Sequence, residues 1–133
     1  QRKVMSIGLM PGSRLPAHCT SMGRVLLAAL PVEEARALIE RSDLSPRTPY
    51  SLTAPDDILS ELEHVRQDGY AVIDQEVELG LRSLAVPLKN VRGQVVAALN
   101  TGVAATQTTA VAMKDQFAEP LLRTQAGLMR VLA

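Results

Sequence analysis

The sequence has little of what most often carries chemistry or nucleic-acid contact. With no Trp, two Tyr and one Phe, its core must be aliphatic, and it has no set of rings on which unpaired bases would stack. Cys19 is the one cysteine, so an internal disulfide is excluded. With His18 and His64 the only histidines, no zinc or other metal site is expected. Fourteen basic residues balance fourteen acidic ones, leaving none of the positive excess that holds a phosphate backbone. No run approaches the roughly twenty apolar residues of a membrane span, so no membrane partner is expected. The opening lacks the apolar core and cleavage site of a signal peptide, and the composition suits a reducing cytoplasm. There is no P-loop, dinucleotide fingerprint or internal repeat, and no cofactor is expected.

What is present is a chain of 133 residues, 47% hydrophobic and 21% charged, which suits one globular domain with a real core. It begins without Met, directly in strand-like sequence, and reads as a fragment of a longer protein. Val4 to Met10 reads as an edge strand closed by a tight turn at Pro11-Gly12. After an extended link through Pro16, Thr20 or Ser21 caps a helix with an apolar stripe of Met22, Val25, Leu26 and Ala29. A second helix spans Val32 to Arg41, with Glu33 and Glu34 at its positive end, and Ser42 to Ser51 is a loop. A capping box at Thr53 to Asp56 opens a third helix, with Ile58, Leu62 and Val65 at helical spacing and Gly69 as its stop.

Tyr70 to Asp74 then feeds an acidic turn and a hairpin, and a last helix from about Thr109 to Leu132 contains Pro120. The period of two places Ser83, Ala85 and Pro87 on one face and Leu84, Val86 and Leu88 on the other. In the second arm Val96, Ala98 and Asn100 share a face opposite to Val95, Ala97, Leu99 and Thr101. The segregation of strands and helices predicts an α+β fold, an antiparallel sheet with helices packed on it.

The Ser83 and Asn100 face has room and polar groups, which a small-molecule site needs; a cross-strand pair bonded only to itself is the alternative. The free N–H groups at Ser21, Met22 and Gly23 can hold a carboxylate, or be an ordinary helix start. Asp74 either accepts a ligand hydroxyl or caps the acidic turn. Arg82 points away from Ser83 and is expected in a structural ion pair, with Glu76 and Glu78 close in sequence. A nucleophile and base at Cys19 and His18 is disfavoured, because neighbours in an extended link point to opposite sides. No catalytic residue is therefore assigned. A small hydrolase using Cys19 and a pure oligomerisation module remain as alternatives.

Three stretches, Leu15 to Ala28 (LPAHCTSMGRVLLA), Gly69 to Leu88 (GYAVIDQEVELGLRSLAVPL) and Gly93 to Asn100 (GQVVAALN), resemble the IclR family of bacterial transcription regulators. The likeness covers nearly the whole chain and is greatest to the branch controlling β-ketoadipate-pathway genes. It implies the C-terminal, GAF-like effector-binding domain over residues 1–133, with its first part and the DNA-binding winged helix-turn-helix absent. It also implies a small organic acid as effector, DNA contact only through the missing domain, and a homo-oligomer, dimer or tetramer. The site residues it implies are Leu15, Thr20, Ser21, Met22, Gly23, Asp74, Leu81, Ser83 and Asn100. Several members of the family carry a small residue where Met22 stands and a serine where Asn100 stands. Leu15, Met22, Leu81 and Ala98 are the expected apolar walls.

Overall fold

The structure, a computed structural model, describes residues 10–132. The elements are α1 (Ser21–Ala28), α2 (Val32–Glu40), α3 (Pro55–Asp68), β1 (Ala71–Asp74), β2 (Leu81–Lys89), β3 (Val95–Ala104) and α4 (Ala110–Met129). The three strands form one antiparallel sheet in the order β1-β2-β3. On one face α1 and α3 bury Val25, Ala28, Ile58, Leu62 and Ala85, with Ile39 of α2 closing the same cluster. On the other face Leu84 and Val86 of β2 are fully buried together with Met113 of α4, flanked by Leu99, Phe117 and Leu121. The α+β expectation therefore holds. The strand expected at Val4 to Met10 lies, apart from Met10, outside the described residues.

Helix α3 forms where its spacing predicts, with Ile58, Leu62 and Val65 buried. Its start differs from expectation. Pro55 takes the first helical position, where a missing N–H costs nothing, and this puts Ala54 in the cap position without a side-chain bond from Thr53. Gly69, at φ +82°, ends the helix by donating its N–H to Val65 O at 2.8 Å. The stripe expected on α1 is also rotated: Leu26 and Ala29 stand in solvent, while Gly23, Arg24, Val25, Leu27 and Ala28 are buried. The reason is that both sides of this short helix are occupied, one by the sheet and one by α3.

The hairpin turn is closed by Asn90, whose side-chain oxygen accepts the Arg92 and Gln94 N–H groups, both at 3.0 Å. Next to the turn the pairing is broken by a bulge between Leu88 and Lys89. It shifts the alternation at the start of β3, so Val95 comes to line a cavity beside Val25 and Ala28, although strict alternation puts it on the opposite face. Beyond the bulge the expected faces hold, with Ala98 packed on the α1 side and Leu99 on the α4 side.

Candidate functional site

Thr20 caps α1 as expected. Its hydroxyl donates to Pro16 O at 2.9 Å and accepts the Gly23 N–H at 3.2 Å, and the helical ladder starts with Arg24 N–H to Thr20 O at 2.9 Å. Of the amides expected to be free, that of Gly23 is thus taken by the cap. Those of Ser21 and Met22 lie ahead of the first intrahelical bond and point out of the helix end. Ser21 itself is 1% exposed, and its hydroxyl has no hydrogen-bond partner among the described residues. A buried polar group left so costs about 1–3 kcal/mol. Leu15 is half-buried in the link before the helix, and Met22 packs against the core cluster.

The opposite bank is the α1 face of β2 and β3. Ser83 pairs with Gly102 and Ala85 with Asn100, so Ser83 and Asn100 share the face as diagonal neighbours and not, as expected, as a directly opposed pair. The turn and the bulge set this register. Leu81 lies on the same face by alternation and pairs with Ala104. Asp74 does not join them. It pairs with Arg82 and accepts Arg82 Nε at 2.7 Å, on the α4 side of the sheet. Arg82 is the structural cation expected, but the carboxylate opposite it is Asp74; Glu76 is held elsewhere. Its remaining bonds, from Nη1 to Ala105 O and Thr108 O, fasten the link that leads into α4.

Sequence reading missed Arg24. This residue, 1% exposed, donates Nη1 to Glu76 Oε2 at 3.0 Å and Nη2 to Glu76 Oε1 at 2.5 Å, and its Nε reaches His18 O at 2.8 Å. The acidic turn is held from the other side by hydroxyls of the 42–51 loop: Thr48 Oγ1 donates to Gln75 O and Ser51 Oγ to Glu76 O, each at 2.6 Å. An arginine amid helix-spaced apolar residues was the only available signal.

Cys19 is also buried, and burial pushes its thiol above the ordinary range, away from the thiolate a nucleophile requires. His18 is held below its ordinary value of 6.5, first by burial and then by the charges of Arg24 and Arg47. Between its lowered folded value and its unfolded one, the unfolded chain binds more protons, so stability falls as pH drops below about 6.5. Urea unfolding at several pH values should show this slope, and His18→Gln should flatten it; an unchanged slope would place the acid sensitivity in other groups.

A cavity of about 700 Å³ lies between the second half of α1 and the hairpin turn. Leu26, Leu27, Leu30 and Val95 line it, with Lys89 as its charged residue, and of the candidate set it meets only Gly23. It is an apolar trough beside the polar end of α1, not the expected pocket. No described residues group His, Cys, Asp or Glu as a metal would need, and no described helix is long and apolar enough to cross a membrane.

Comparison with known proteins gives a consistent picture. The family model described as bacterial transcriptional regulator IclR C-terminal matches residues 1–128. The Pca regulon regulatory protein of Pseudomonas putida is 41% identical over 130 residues, covering 98% of this chain and 45% of that protein. The p-hydroxybenzoate hydroxylase transcriptional activator of Acinetobacter baylyi is 40% identical over 130 residues, covering 98% and 48%. The chain thus spans about half the length of these relatives. Among solved structures, the inducer-binding domain of the PobR transcription factor from Acinetobacter, a double mutant in complex with 3-hydroxybenzoic acid, superposes with a TM-score of 0.86. It is 37% identical, over 91% of this chain and 69% of that one.

Proposed function

The chain belongs to the IclR family of bacterial transcriptional regulators, and from that membership we propose that it senses a small aromatic or dicarboxylic acid on behalf of such a regulator. The observation that carries the reading is at the start of α1: the buried Ser21 hydroxyl, with no hydrogen-bond partner among the described residues, beside two amides that the helix does not use. A carboxylate there meets preorganised donors and the positive end of the helix, without a free buried cation. Ser83 and Asn100 complete the polar set from the sheet, and Leu15, Met22, Leu81 and Ala98 supply apolar walls. The names of these relatives point to aromatic catabolism, and the complex of the PobR domain to a hydroxybenzoate as the chemical class.

DNA contact is assigned to a helix-turn-helix outside this chain, in keeping with its zero net charge. Leu26, Leu38 and Val111 stand exposed on helices, which favours a dimer or tetramer.

Calorimetric titration with 4-hydroxybenzoate, protocatechuate and β-ketoadipate tests the proposal. Saturable binding without turnover is expected for at least one. Ser83→Ala and Asn100→Ala should each weaken it by about 1–2 kcal/mol, roughly 5- to 30-fold, through loss of a hydrogen bond to a charged group. Arg82→Ala should lower stability more than affinity. Unchanged affinity in both of the first two variants would remove the hairpin face from the site.

A further inference from the structure

The buried ion pair of Arg24 and Glu76 joins more than two residues. One guanidinium ties His18 O in the link ahead of α1, the helix itself and the turn that leads into β2. That turn is stiff on its own account. Gln75 sits at φ +61°, a conformation seldom taken by a residue other than glycine, and its side-chain oxygen accepts the Gly80 N–H at 3.0 Å. The Glu76 and Gln75 carbonyls are meanwhile taken by Ser51 and Thr48. Thr20 to Gly23 lie within one helical turn of Arg24, and Leu81 to Ser83 follow Glu76 by a few residues. The pair therefore spans the two banks of the site.

Stability alone is a poor account of it, since a buried ion pair is often replaceable by apolar side chains of similar volume at no loss. What apolar side chains cannot reproduce is direction, because a bidentate fork fixes both distance and plane. We propose that Arg24 and Glu76 are positioning residues that hold the first turn of α1 at a fixed separation from the start of β2, and so set the affinity of the acid site without touching its ligand. This inference rests on the effector reading above.

The test uses the 133-residue chain and 4-hydroxybenzoate as probe, with a double variant, Arg24→Met with Glu76→Leu, and a conservative one, Arg24→Lys. The double variant is expected to unfold at a similar urea concentration, yet to bind about tenfold more weakly, the equivalent of one hydrogen bond to a charged group. Arg24→Lys, which keeps the charge and loses the fork, should fall between. Without ligand, amide exchange at Ser21, Met22 and Leu81 to Ser83 should quicken in both variants while the α3 amides stay protected. Parental affinity and parental exchange in either folded variant overturn the clamp and leave the effector reading standing. Absence of binding by the parent to 4-hydroxybenzoate, protocatechuate and β-ketoadipate alike overturns the effector reading, and the clamp with it.

Discussion

Arg24→Ala is expected to lower the unfolding free energy by about 3–5 kcal/mol, the range for removing one partner of a buried pair. The loss comes less from the attraction removed than from what is left behind. Glu76, whose side chain is 13% exposed, keeps its charge inside the protein with its cation gone, and His18 O loses its donor. A domain of this size has about 5–15 kcal/mol in total, so the variant should sit at the edge of folding at room temperature. Removing both charges in favour of apolar side chains should not have this effect, and that contrast separates an orphaned charge from a general loss of packing. Urea titration of the single and double variants reads it directly. A loss below about 1 kcal/mol in Arg24→Ala would mean that water or a neighbour replaces the guanidinium.

Gly23→Ala should be nearly as damaging, at about 3 kcal/mol, the upper end of what overpacking a tight site costs. A methyl at this position would lie 2.2 Å from Ala17 O, 2.5 Å from Ala17 Cα and 2.6 Å from Thr20 Oγ1. Two of those atoms are backbone, so relief requires moving the link or the helix, and the third belongs to the cap. The same shift would pull the Ser21 and Met22 amides out of line. Gly127 in α4 gives the control: nothing lies within 4 Å of a methyl there, and Gly127→Ala should be neutral or stabilising by up to about 1 kcal/mol. Equal behaviour of the two variants in thermal unfolding would contradict the close approach at Gly23.

Where one period dominates, the fold was legible from residues alone. Ile58, Leu62 and Val65 with Gly69 define α3, and the alternation from Arg82 to Leu88 places Leu84 and Val86 on one face and Ser83 and Ala85 on the other. Legibility failed where a contact is distant in the chain or a cap depends on one residue's identity. Arg24 and Glu76 are 52 positions apart, and no local pattern marks a charged residue as buried on behalf of a remote partner. Pro55 moved the start of α3 past Thr53. The bulge after Leu88 reassigned Val95, because one extra residue changes the face, and turn and bulge together offset Ser83 from Asn100 by two residues. At the site, the Thr20 cap was visible from residue type. That this cap consumes the Gly23 amide, and that Asp74 faces Arg82 across the strands, needed coordinates.

The central claim, that the start of α1 receives the acid, is tested most directly by amide chemical shifts of the labelled chain during titration with 4-hydroxybenzoate. Ser21 and Met22 should shift most and saturate together with Ser83 and Asn100, while Arg82 and α4 stay still. Saturable shifts confined to Leu30, Lys89 and Gly93 to Val95, around the apolar trough, would contradict it.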